Sequence, residues 1–247
     1  MNDYVGKVFR SNKYGDVIVT KYDSYKEVHI RFLDSGYETK KSLPDIKRGF
    51  IKDMSAPTVV GVGILEVEDI RVNGKTSREY NIWYSMLHRC YSEKRYEKNP
   101  TYVDCYVSER FKYFSNFREW YYLQIGHDNE GWELDKDILV KHNKCYSEDT
   151  CVFVPRELNS ILVKSDKIRG DLPIGVSHHK SHKTYAANIK YNGKTVYLGS
   201  YLRPEEAFLS YKEAKENHIK DVANKWKDKV DPRVYEVLMN YQVEITD

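Results

Sequence analysis

The sequence has little that would tie it to a membrane, an oxidising compartment or a strongly charged partner. No run of about 18 apolar residues occurs in its 247 positions, which excludes a membrane-spanning helix. The opening residues Met1, Asn2, Asp3 and Tyr4 lack the basic-then-apolar order of a secretory signal. Only four cysteines are present, Cys90, Cys105, Cys145 and Cys151, separated by 14, 39 and 5 residues. That spacing holds no C-x₂₋₄-C knuckle, so buried thiols in a reduced, cytoplasmic setting are expected. A structural Zn²⁺ on the four sulfurs is the other reading, because small folds gain from a staple. Net charge is just +3, so any affinity for nucleic acid has to be sought in local charge.

Hydrophobic residues make up 40% of the chain, enough for real cores. The 22 tyrosines against 4 tryptophans point to wide amphipathic surfaces. The length suits two or three small domains, and the fold class expected is α+β. Residues 1–62 read as β structure, with strands over 5–9, 16–22 and 27–32 separated by Gly- and Asp-containing turns. Five short strands would make a small SH3-like β-barrel, similar to modules that precede nuclease domains in phage proteins. Its Lys40, Lys41, Lys47 and Arg48 are either phosphate contacts or guards of a barrel edge. Residues 55–75 look like a linker, with Asn73-Gly74 as a turn signal. A helix follows with Tyr80, Trp83, Met86, Leu87 and Cys90 on one face. A second helix carries the stripe Phe111, Phe114, Phe117 and Trp120, which reads as core.

Residues 133–159 organise the rest. Leu134, Ile138 and Val140 alternate as a strand, His142, Asn143 and Lys144 make a polar turn, and residues 151–154 form a second strand. Pro155 then suits a helix start, with Glu157, Leu158 and Asn159 in its first turns. The layout and wording resemble the HNH ββα-metal domains of phage homing-type endonucleases. Leu134-Asp135-Lys136 stands where that family has Leu-Asp-His. Asn143 stands at its Gly-Asn, residues 146–154 at its Tyr-Ser…Val segment, and Asn159 at its helix Asn. Upstream, Trp83, Met86, Arg89 and Cys90 match its W-x-x-M-x-x-R-C helix, and Phe111, Phe114 and Phe117 its aromatic segment. The resemblance implies that Asp135 and Asn159 bind one divalent cation, Mg²⁺ or similar. The family's base is replaced by Lys136, and its second-strand Asn by Thr150. Lysine, with a reference pKa near ~10.4, is a base only if burial lowers it by several units. Asp137 and His142 are the other candidates for the base.

The C-terminal residues 170–247 carry a second pattern. Strands are expected over 175–180, 185–191 and 194–201, with Asn192-Gly193 as a type I′ hairpin signal. A helix is expected from Pro204, with Glu205 and Glu206 at its positive dipole end. Helical structure is expected to continue to the C-terminus, with Trp226, Val234, Val237, Leu238 and Tyr241 as packing residues. Residues 161–172 read as a basic connector through Lys164, Lys167 and Arg169. The sheet-plus-helix pattern resembles an AP2 DNA-binding domain, whose helix-free sheet face lies in the major groove. That resemblance puts Ser177, His179, Lys190, Thr195 and Tyr197 on the DNA side. Lys180, Lys183, Lys190 and Lys194 stand among no acids between Ile174 and Gly199, which suits phosphate contacts.

The expected domains are thus 1–62, 76–163 and 170–247. The expected function is a phage-type HNH-like hydrolase cutting double-stranded DNA with one divalent metal. The alternative is a catalytically inactive DNA-binding or regulatory protein on a degenerate HNH fold, with a protein partner met through tyrosine-rich surfaces. No membrane partner is expected.

Overall fold

The computed structural model describes residues 3–67, 69–162, 171–179, 183–191 and 193–247. The chain is mixed α and β and divides into two compact units. The first is Met1–Tyr121 with Lys144–Glu148, and the second is Tyr122–Asn143 with Asp149–Asp247. Among the described residues no helix is long and apolar enough to cross a membrane.

The first unit opens with an antiparallel meander in the order β1-β2-β3-β4: β1 Val8–Arg10, β2 Asp16–Ser24, β3 Glu27–Phe32 and β4 Glu38–Lys41. Val28, Ile30 and Phe32 alternate inward with Val17 and Val19, as period-two patterning requires. The sheet does not close, which corrects the expected barrel. After β4, Ser42 caps a short helix, α1 Leu43–Lys47, by accepting from the Asp45 amide, and Pro44 fits its first turn. Leu43 and Ile46 then cover the sheet face. Lys40 spends its charge on Glu27 at 2.6 Å, the behaviour of an edge guard.

A hairpin, β5 Arg71–Val72 and β6 Lys75–Thr76, turns at Asn73 and Gly74, both at positive φ as a type I′ turn demands. The helix α2 Arg78–Tyr91 starts at Ser77, whose hydroxyl accepts from the Tyr80 amide. It buries Trp83, Met86, Leu87 and Cys90. A short α3 Glu93–Lys98, absent from the sequence reading, buries none of its residues. The aromatic stripe lies on two helices, α4 Glu109–Lys112 and α5 Phe114–Tyr122, and all four of its rings are buried. The break falls where Ile64 inserts, donating to the Lys112 carbonyl and accepting from the Phe114 amide. The parallel pair β7 Tyr106–Val107 and β9 Cys145–Tyr146 completes the unit.

The second unit joins a hairpin-and-helix to a sheet-and-helix. Strand β8 Trp132–Asp135 pairs antiparallel with β10 Val152–Pro155, and α6 Arg156–Ile161 follows. Strands β11 Val176–His179, β12 Thr184–Tyr191 and β13 Lys194–Tyr201 form an antiparallel sheet in that order. The long α7 Pro204–Trp226 serves both parts. Its Ala207, Phe208 and Tyr211 share a core with Val176, Ala187 and Ile189 of the sheet. Its Ile219, Val222 and Ala223 share another with Val152, Val154 and Leu158 of the hairpin and α6. The helix breaks after Trp226, and α8 Pro232–Met239 restarts on an Asp231 cap and buries Val234 and Leu238. The basic connector lies mostly outside the described residues, as do Lys180 and Asn192.

Candidate functional site

The first strand of the hairpin ends sooner than the sequence pattern suggests. Asp135 is its last residue, and its Oδ1 accepts from the amides of Asp137 at 2.9 Å and Ile138 at 2.7 Å. This Asx turn satisfies two backbone donors and bends the chain out of the sheet. Asp137 therefore does not continue the strand face of Asp135. Ile138 is buried within the bend, while Val140 is exposed. Burial, and then the neighbouring Asp137 carboxylate, push the Asp135 carboxyl up to about 6 against the pull of its two amide bonds.

The loop from 136 to 143 is closed at its base by a reciprocal pair. The buried Lys136 donates from Nζ to the Asn143 carbonyl at 2.7 Å, and Asn143 Nδ2 donates back to the Lys136 carbonyl at 2.6 Å. Lys136 also donates to Asp137 Oδ2 at 3.0 Å. A lysine that spends its protons on a carbonyl and a carboxylate is a loop tie. The Asp137 side chain is half exposed. His142 is exposed and holds a positive φ of 64°, a conformation uncommon outside glycine.

Asn159 lies in α6, and its Nδ2 donates to Glu133 Oε2 at 2.7 Å. Its Oδ1 accepts no hydrogen bond among the described residues. Glu133 and Asp135 are two apart on β8, so they share a strand face. They pair in register with Val154 and Val152, which pack against Leu158 of α6. Asp135, Glu133 and Asn159 thus lie on the helix side of the hairpin, with Glu133 as the one in contact with Asn159. Arg156 reaches Glu133 Oε1 at 3.4 Å. Glu133 was missed in the sequence reading, although its two-residue spacing from Asp135 was a usable signal. The carboxylates and the Asn159 Oδ1 are oxygen donors, the hard donor type that Mg²⁺ and Mn²⁺ take. The helix is held from behind by Glu157, which accepts from Lys225 Nζ at 2.6 Å and Trp226 Nε1 at 2.8 Å. The Lys225 contact is the main reason the Glu157 carboxyl sits below its ordinary range.

The sheet presents the second surface. Val176, Ala187 and Ile189 point to α7, so the opposite parity of β12, Ala186, Asn188 and Lys190, lies on the helix-free face. Ser177 pairs with Ala186, Tyr197 with Asn188, and Thr195 with Lys190. His179 pairs in register with Thr184. A bulge in β13 brings Tyr197 and Thr195 to this side. The register runs Ala187 to Gly199 and then Asn188 to Tyr197, so Leu198 is the extra residue and the strand switches faces there. Asn188 Nδ2 donates to Ser177 Oγ at 3.3 Å, and Tyr197 stays 61% exposed.

Among the described residues one trio of His, Cys or carboxylate donors has its ligand atoms within 4.8 Å of one another: Asp23, Glu27 and His29 in the first unit. Asp23 already contacts Lys21 at 2.8 Å and His29 at 2.7 Å, and Glu27 holds Lys40, so this is a neutralised surface network. Cys90 and Cys105 are buried, Cys145 is half-buried, and these three of the first unit form no such trio. Cys151 is buried in the second unit. No family model, no curated protein and no solved structure matches this chain.

Proposed function

We propose that the chain is a DNA-binding endonuclease of HNH-like type, cutting phosphodiesters with one divalent cation. The observation that carries the reading is the set of oxygen donors Glu133, Asp135 and Asn159 on the helix side of one hairpin. Asp135 supplies charge, Asn159 Oδ1 a neutral oxygen, and Glu133 holds the Asn159 amide nitrogen, which sets the direction of that oxygen. A bound divalent cation would there neutralise a phosphate and stabilise the departing oxygen. Asp137, two residues after Asp135, and His142, in the same loop, are the exposed groups assigned to take a proton from water. The polar helix-free face of the sheet, with Ser177, Lys190, Thr195 and Tyr197, is assigned to duplex DNA, and the resemblance adds His179 to that set.

One observation favours a second reading, a DNA-binding protein without catalysis. Lys136 stands where the resemblance calls for a base, and it is tied into the loop. Supercoiled plasmid with Mg²⁺ or Mn²⁺ separates the two. Nicking by the wild type that is lost in Asp135→Ala and Asn159→Ala supports the nuclease. Duplex binding without nicking by any of the three supports the second reading.

The sheet assignment has its own test. Lys190→Ala with Tyr197→Ala is expected to weaken duplex binding by about tenfold and to lower the salt slope by about one. Fluorescence anisotropy across a salt series checks this. Unchanged affinity at moderate salt would remove this face from the DNA surface.

A further inference from the structure

The tip of the site loop is anchored as well as its base. Lys141 Nζ lies 2.7 Å from Asp247 Oδ1 and 3.5 Å from Glu244 Oε2, over the Tyr241 ring at 5.4 Å. Asp247 also accepts from the Glu244 amide through Oδ2 at 3.0 Å. The segment that Lys141 grips is itself fixed in the middle of α7. Lys212 Nζ donates to the Val243 carbonyl at 2.7 Å, and Glu216 Oε1 accepts the Val243 amide at 2.9 Å. Lys212 and Glu216 pair with each other at 2.6 Å. Val243 is buried in the same core as Val176, Ala187 and Ile189 of the sheet. A continuous set of contacts therefore runs from the sheet core through residues 241–247 to the loop that begins at Asp135.

We propose that Lys141 is a positioning residue for the cation site: it fastens the loop after Asp135 to residues 241–247, and so to the helix that carries the sheet. This rests on the nuclease reading for its metal and on the contacts alone for its mechanics. The physical reason is geometric. Asp135 Oδ1 is aimed by the amides of Asp137 and Ile138, and those amides belong to a loop with two fixings. The base pair Lys136–Asn143 fixes where the loop leaves and returns, and Lys141 fixes its far end. Residues that orient a metal ligand are each worth about 10- to 100-fold in metal affinity.

The test uses the full chain, with Lys141→Met keeping the stem without the charge and Lys141→Arg keeping both. Two readouts are taken: amide hydrogen exchange at residues 137 and 138, and Mn²⁺ affinity by calorimetry. Lys141→Met should speed exchange at both amides by about tenfold and weaken Mn²⁺ by about tenfold. Duplex affinity should hold, and Lys141→Arg should restore both values to near wild type. Unchanged exchange in Lys141→Met would overturn the proposal. So would a loss in Lys141→Met matched by equal loss of duplex binding and by no rescue with arginine, which is general unfolding. If the wild type itself binds no Mn²⁺, the metal reading and the positioning role at it both fall, and the exchange data then report the fastening by itself.

Discussion

Asp135→Asn is expected to stabilise the protein near neutral pH while removing the proposed divalent-cation site. Asp135 keeps its proton up to about 6 in the folded chain. An unfolded aspartate loses its proton near ~3.9. Between those values the folded state binds more proton, so the contribution to stability is whole below about pH 4 and is lost as pH rises through 6. Each pH unit of separation is worth about 1.4 kcal/mol, which makes the penalty for the ionised group on the order of 3 kcal/mol. Asparagine carries no charge at any pH and still offers Oδ1 to the amides of Asp137 and Ile138. Urea unfolding should therefore show Asp135→Asn gaining about 1–2 kcal/mol at about pH 7.5 and almost nothing at about pH 4.5. For the same reason cation affinity of the wild type should climb as pH passes through 6, since the proton must leave first. A variant less stable than wild type at both pH values would show that the carboxylate is not held at a cost to the fold.

The largest loss of stability is expected at Trp83→Ala. Its ring is fully buried, 5.2 Å from Phe114 between centroids, and its Nε1 donates to the Phe111 carbonyl at 2.7 Å. Deleting a buried aromatic costs about 3–5 kcal/mol through lost transfer energy and the cavity left behind. The orphaned carbonyl adds about 1 kcal/mol. Against a typical total of about 5–15 kcal/mol this is close to unfolding. Trp83→Phe keeps most of the volume and loses the hydrogen bond, so about 1–2 kcal/mol is expected. Urea midpoints of the two variants check the order. Equal midpoints would mean that the hydrogen bond, not the ring volume, dominates the site.

Local chemistry made part of this fold readable in advance. The three C-terminal strands and the helix from Pro204 follow alternation and an N-terminal proline. Asn73-Gly74 turns where two positive φ values are needed. The face of α2 follows its helical period. Tertiary choices were not readable in the same way. The Asx turn of Asp135 ends a strand whose apolar alternation runs on through Ile138 and Val140, because one side-chain oxygen outcompetes the ladder for two amides. The bulge at Leu198 is invisible to a period-two count that spans it, yet it decides which face Tyr197 occupies. After β4 the chain forms α1 rather than a further strand because the Ser42 cap and Pro44 favour a helix locally. Asp135 and Asn159 enter the proposed site through the motif they resemble. The spacing of Glu133 from Asp135 placed both on one strand face, but its contact with Asn159 depends on a helix returning 26 residues later.

Asp135 and Asn159 are proposed to serve the same cation. A Mn²⁺ titration followed by electron paramagnetic resonance addresses it without requiring cleavage or a known target sequence. About one bound ion per chain is expected in the wild type, lost alike in Asp135→Ala and in Asn159→Ala. Stoichiometric binding that survives both substitutions would put the ion elsewhere and contradict the assignment.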